Sequence, residues 1–161
     1  MSIRMTSARC PCTEVRRASR AITQLHDLVL SPTGLRATQF IVLFAIAQEN
    51  EIAQCRLAEN YAISIEALSR RLGSLRRKGL IQVRDGFPHH QRLYSLTEKG
   101  KKVVDDAMPH WNRAQARLRA TVGEAELELL LKLCDRVVSG ALQAQMLRIA
   151  NSTSVCKPPH S

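Results

Sequence analysis

Two stretches of this chain combine residue types and spacings that could do chemistry. The first is Cys10-Pro11-Cys12, two thiols one residue apart, with Arg9, Arg16 and Arg17 close by and a helical pattern just beyond. Cations and a helix N-terminus both favour thiolate, the form that reacts with oxidants and holds soft ions. One use of such a pair is redox sensing, by a sulfenate that goes on to a disulfide. A bond to a partner thiol is less strained than one inside Cys-X-Cys. A second use is chelation of a thiophilic ion such as Cu(I), Hg(II) or trivalent arsenic, with a third ligand from elsewhere. A third reading gives the pair no signalling role.

The second stretch is Ser64–Leu80. Ile65, Leu68, Leu72 and Leu75 recur at steps of three and four and predict one apolar stripe on a helix. Ser64 suits the N-cap, Glu66 the positive end of the dipole, and Gly79 after Lys78 a stop. With the stripe inward, Glu66, Ala67, Arg70, Gly73, Ser74 and Arg77 point outward, and Ser69 and Arg71 lie on the flanks. Arginine can pair with guanine edges or phosphates, while serine, alanine and glycine let a backbone approach closely. An ordinary solvated helix face has the same pattern, so the surrounding elements decide between the two.

Those elements are mostly helical. A helix from Thr13, as cap, to about Leu30 carries Val15, Ala18, Ile22, Leu25 and Val29 at near coiled-coil spacing. Ser31-Pro32-Thr33-Gly34 breaks it. A second helix, about Arg36–Glu49, turns Phe40, Leu43, Phe44 and Ala47 inward. A short third, roughly Ala53–Tyr61, leads through a tight turn to the basic helix, which makes a helix-turn-helix. Leu80–Arg84 and Arg92–Leu96 read as strands joined by turn residues Asp85-Gly86-Phe87-Pro88. A hairpin at this place is a wing, and His89, His90 and Arg92 near its tip could reach a minor groove or a phosphate. Thr97-Glu98-Lys99-Gly100 opens a long helix to about Arg119, which Pro109 should kink. Thr121 and Glu124 have capping-box spacing for a last helix, about Glu124–Ile149. Its apolar face is Leu127, Leu130, Leu131, Cys134, Val138, Ala141 and Leu142, which predicts a buried, inert Cys134 thiol. Cys55 lies near the start of the third helix and Cys156 in a tail, Asn151–Ser161, read as disordered.

The 161 residues are 45% hydrophobic and 24% charged, which fits one globular domain with a helical, aromatic-poor core. A net charge of +10 calls for a polyanionic partner. From Arg56 to Lys102 eleven cations stand against Glu59, Glu66, Asp85 and Glu98, so the excess gathers around the basic helix. The cations do not line one long amphipathic segment, which disfavours a lipid surface, and no apolar run reaches the roughly 18 residues of a membrane span. The N-terminus shows no hydrophobic signal segment, so a cytoplasmic location is expected. No nucleophile–base motif, Gly-rich phosphate loop or converging carboxylate pair is present, since Glu124, Glu126 and Glu128 alternate around a helix. No enzyme activity, cofactor or zinc site is expected. A winged-helix module used only for protein contact is the remaining class.

Taken together, Gly34-Leu35 with Thr38-Gln39-Phe40, Leu68-Ser69-Arg70 with Leu75, Arg77-Lys78-Gly79-Leu80-Ile81 and Leu96-Thr97-Glu98-Lys99-Gly100 resemble the MarR family of winged-helix transcriptional regulators. The resemblance covers about Cys12 to Ala150. It implies a mainly α fold with a small β-hairpin wing, residues 35–96 forming the winged helix-turn-helix. Residues 12–32 and 97–150 form the helical dimerisation region, and 1–11 and 151–161 are flexible ends. It implies a homodimer that binds double-stranded DNA at an inverted-repeat operator, acts as a repressor, and is released by an oxidant or a small ligand. The residues expected at the DNA are Ser64, Ala67, Ser69, Arg70, Arg71, Ser74 and Arg92, with Ser69 and Arg70 where the family contacts bases and phosphates. The family's Asp-Arg-Arg at the wing corresponds to Pro88, His89 and His90 here, leaving Arg92 as the fixed charge. Cys12 precedes Ser19-Arg20 by seven residues, as the reactive cysteine does in the organic-hydroperoxide-sensing branch. That branch's tyrosines are replaced by Arg16, His26 and Ala37. A small aromatic ligand near His26 or Trp111 is a further option for the signal.

Overall fold

The computed structural model describes residues 10–86 and 91–153, with only the backbone described for 91 and 142–153. The chain divides into two units between Leu118 and Arg119.

In the first unit, helix α1 spans Pro11–Leu30. Pro11 occupies the first turn, where a missing N–H costs nothing, and so moves the start ahead of the expected cap at Thr13. The Cys10 carbonyl accepts from the Thr13 and Glu14 amides instead. The predicted stripe is only partly used: Val15 is 55% exposed, Ala18 is exposed and Ile22, Leu25 and Val29 are half-buried, while the buried residues are His26 and Leu30 beside it. The core of this unit reaches only the C-terminal turns of α1. A 3-10 turn, Ser31–Thr33, leads to α2, Ala37–Glu49. Asp27 ties the two helices together by accepting from the Ala37 amide at 2.7 Å and facing Arg36 at 3.5 Å. Phe40, Val42, Leu43 and Ile46 make α2 the centre of the core.

Strand β1, Glu51–Ala53, then enters a sheet that the sequence pattern did not show, because three residues carry no readable alternation. Helix α3 (Gln54–Asn60), helix α4 (Ile65–Arg77) and strands β2 (Ile81–Gly86) and β3 (Gln91–Leu96) follow. The sheet is antiparallel with order β1-β3-β2, and Tyr94 stands opposite both Ile52 and Val83. The expected hairpin is present; its turn residues 87–90 lie outside the described residues. Helix α5, Glu98–Val122, is opened by Thr97, whose hydroxyl accepts from the Gly100 amide at 3.0 Å and donates to the Gly79 carbonyl at 2.7 Å. The helix continues through Pro109, which is exposed.

Trp111 of α5 packs, with its ring tilted, against both His26 of α1 and Phe40 of α2, with ring centroids 4.3 and 4.8 Å apart. His26 Nδ1 faces the Ile22 carbonyl at 2.8 Å, so it carries the proton. Its buried Nε2 has no partner among the described residues.

The second unit holds the end of α5 and helix α6, Glu124–Thr153, which runs past the expected boundary at Ile149. Thr121 lies inside α5 and Gly123 separates the helices, so Thr121 does not stand at the cap position of α6 where the sequence pattern placed it. Arg119 Nε instead donates to Glu124 at 3.1 Å. Leu127 is buried, but Leu129, Leu131, Leu133, Val137 and Val138 are exposed. Cys134 is exposed too, contrary to the expected buried thiol. The spacing that places it on an apolar face is there in the helix, but Leu131, Cys134 and Val138 on that face are exposed among the described residues.

Candidate nucleic-acid interface

Helix α4 forms as its sequence dictates. Ser64 Oγ accepts from the Ala67 amide at 3.2 Å, and the C-terminal turn holds Arg76 and Arg77, which suit the negative end of the dipole. Gly79 takes the left-handed conformation, φ +71°, that ends the helix. Leu68, Leu72 and Leu75 are buried, as the stripe requires. Ile65 is not: it is 52% exposed, because the core packs on the middle and later turns and leaves the first turn clear. The outward face is basic. Ser64, Ser69, Arg70, Arg76 and Arg77 are exposed, and Ala67, Arg71, Gly73 and Ser74 are half-buried. Within that face Glu66 is held below the ordinary carboxylate range, first by its own backbone amide, then by the Ser64 hydroxyl and the Arg70 charge.

Of the predicted residues, the structure brings Ser69 and Arg92 together. They line a cleft of about 80 Å³ between α4 and β3, with Leu72, Gly73, Arg76 and Tyr94. Ser64, Ala67, Arg70, Arg71 and Ser74 are on the same helix but outside that cleft. Pro88, His89 and His90 lie outside the described residues.

Two features of this face escaped sequence reasoning. Gln54 at the head of α3 donates to Ser69 Oγ at 2.6 Å and accepts from the Tyr94 hydroxyl at 3.3 Å. Arg84 on β2 holds Glu51 on β1 with two hydrogen bonds, one of them 2.6 Å, across the intervening strand β3. The Arg84 hydrogen bond keeps the Glu51 carboxyl below its usual value. Neither partnership has a sequence signal, since each joins residues far apart in the chain and β1 was unseen.

The paired cysteines open α1, and both are exposed. The Thr13 and Cys12 amides, then the Thr13 hydroxyl, lower the Cys10 thiol from its ordinary value, although no capping hydrogen bond closes on the sulfur. Among the described residues no group of three or more His, Cys, Asp or Glu is placed to hold a metal ion. No single described helix is long and apolar enough to cross a membrane.

An antiparallel wing following a capped basic helix, set on a helical scaffold, defines a winged helix-turn-helix protein. No family model and no curated protein matches the sequence. Solved structures do. The transcriptional regulator MosR of M. tuberculosis, crystallised in complex with DNA, superposes with a TM-score of 0.76 at 30% identity over 84% of this chain and 98% of its own. A mutant E. coli MarR complexed with operator DNA gives 0.70 at 22% identity, over 78% and 91%. A MarR-family regulator from Rhodococcus gives 0.68 at 18%, over 81% and 96%. The chain belongs to the MarR family of winged-helix transcriptional regulators, which is not a family of enzymes.

Proposed function

We propose that this protein is a cytoplasmic, homodimeric, sequence-specific DNA-binding repressor that leaves a palindromic operator when its N-terminal thiols are oxidised. The observation that carries DNA binding is the face of α4, where arginines and short side chains stand exposed beside Arg92 of the wing. MosR, a DNA-bound regulator 30% identical along nearly its whole length, supports the same reading. Exposed apolar residues on α6 and on the first turns of α1 support the dimer, since a second copy would cover them. Two subunits would hold their α4 helices about one turn of DNA apart, or a multiple of it, matching an inverted repeat.

Exposure of Cys10 and Cys12 and the lowered Cys10 thiol support the signal. A hydroperoxide would take one thiolate to a sulfenate, releasing the alkoxide. A second thiol would then condense with the sulfenate, expelling water and leaving a disulfide. The tyrosines of the peroxide-sensing branch are missing here, so the thiols would depend on helix amides and arginines for activation.

The test begins with duplexes selected from a random pool by the full-length protein. Binding should favour an inverted repeat, and its affinity should fall linearly on a log–log plot against salt as counterions are displaced. A protein that selects no sequence, or whose complexes ignore salt, overturns the DNA-binding reading. For the signal, treatment with a hydroperoxide should release wild type and leave Cys12→Ser bound. An equal response from both removes Cys12 as the sensor.

A further inference from the structure

Three side chains from three elements meet at the edge of the presented face of α4. Gln54 of α3 points its amide nitrogen at Ser69 Oγ, 2.6 Å away, and toward the Ile65 carbonyl at 3.5 Å. Its amide oxygen receives the hydroxyl of the buried Tyr94 of β3. A carbonyl can only accept, so the NH2 end of Gln54 must be the one facing α4. The Ser69 oxygen therefore accepts from Gln54, and the serine's own proton is left to point elsewhere.

Ser69 opens on the cleft of about 80 Å³ that Arg76 and Arg92 also line. Both arginines are exposed, and neither has an ion pair among the described residues. A hydroxyl donor sharing one cleft with two arginines and the side-chain-free backbone of Gly73 is complementary to an oxyanion. We propose that Gln54, backed by Tyr94, is a positioning residue that fixes the Ser69 hydroxyl as a hydrogen-bond donor to one DNA backbone phosphate seated between Arg76 and Arg92. The proposal rests on the DNA-binding reading above and deepens it. Gln54 need not touch the DNA; it acts through the direction of another residue's proton. Replacing it by alanine frees Ser69 to rotate. Replacing it by glutamate reverses the polarity, because a carboxylate only accepts and would take the Ser69 proton for itself.

The experiment uses the full-length protein and a duplex it has selected, with single uncharged methylphosphonates substituted along the backbone in turn. Wild type should lose about tenfold in affinity at one phosphate of each half-site, where a charge-assisted hydrogen bond disappears. Gln54→Ala should bind the unmodified duplex about fivefold more weakly, lose the serine's part of the penalty at that phosphate while keeping the arginines' part, and keep the others. Gln54→Glu should bind more weakly than Gln54→Ala, although it matches glutamine in shape. Ser69→Ala should reproduce the Gln54→Ala map, and the double variant should be no weaker than either single.

An unchanged map for Gln54→Ala overturns the proposal, as does a double variant that loses the product of the two single effects. A uniform weakening at every phosphate with a lowered melting temperature would show a merely structural role and overturns it too. A wild type that binds while Gln54→Ala keeps its map removes this inference alone; a wild type that selects no duplex removes the DNA-binding reading and this one with it.

Discussion

Arg84 lays its guanidinium on both carboxylate oxygens of Glu51, and two-pronged, charge-assisted pairs are among the stronger contacts available near a surface. The folded pKa of Glu51 lies below its ordinary value of 4.5. The stabilisation is therefore fully present above 4.5 and is lost as pH falls through the lowered value. Thermal melts across an acid series should show wild type losing stability more steeply below pH 4.5 than Glu51→Gln, whose side chain does not titrate; parallel curves would mean that the pair does not secure the sheet. Arg70 allows a functional prediction at the same scale. It is exposed at the centre of α4, and Arg70→Ala should cost about 1–3 kcal/mol of specific binding if it reads a base. Gel-shift titration with the selected duplex measures this, and an unchanged affinity takes Arg70 out of the interface.

At the level of elements, helix α5 approaches the end of α4 and start of β2 so closely that only glycine fits at Gly100. A Cβ there would lie 2.0 Å from the Leu80 carbonyl oxygen, a backbone atom that cannot step aside. Gly100→Ala should destabilise the protein by about 1–3 kcal/mol, as overpacked sites do, and a denaturant midpoint with unchanged slope would report it. The Thr97-Glu98-Lys99-Gly100 run was legible in the sequence as a helix start, but the reason for its glycine became visible only with Leu80 beside it. The same limit explains the other differences. Stripes at helical spacing located α1, α2, α4, α5 and α6, yet they could not say what covers each one, so Val15, Ile65 and Cys134 were expected inside and are exposed. Strand β1 is defined by pairing with residues forty or more positions away, and Gln54 works through partners 11, 15 and 40 positions distant. Local pattern holds no trace of such meetings. The basic face of α4 was the most legible part, because arginine and small residues at helical spacing are a local property.

For the whole molecule, the exposed apolar residues of α6 are where the proposed dimer would pack. Val137 is 65% exposed there, and Val137→Glu would place a charge where a second copy is expected to pack. Sedimentation should show wild type as a dimer and Val137→Glu shifted toward monomer, with operator affinity falling alongside because one subunit can hold only one half-site. A monomeric wild type would remove the dimer from the reading. The sheet has a different consequence. The chain leaves it at Ala53 and returns at Ile81, and both points are hydrogen-bonded to the same strand, β3. The helix-turn-helix is thus an insert clipped at both ends into a common seam. Residues 54–80 lie between those two clips, and under the proposed DNA-binding role a lineage could redirect the genes it governs by editing this segment alone, leaving helices α1, α5 and α6 untouched.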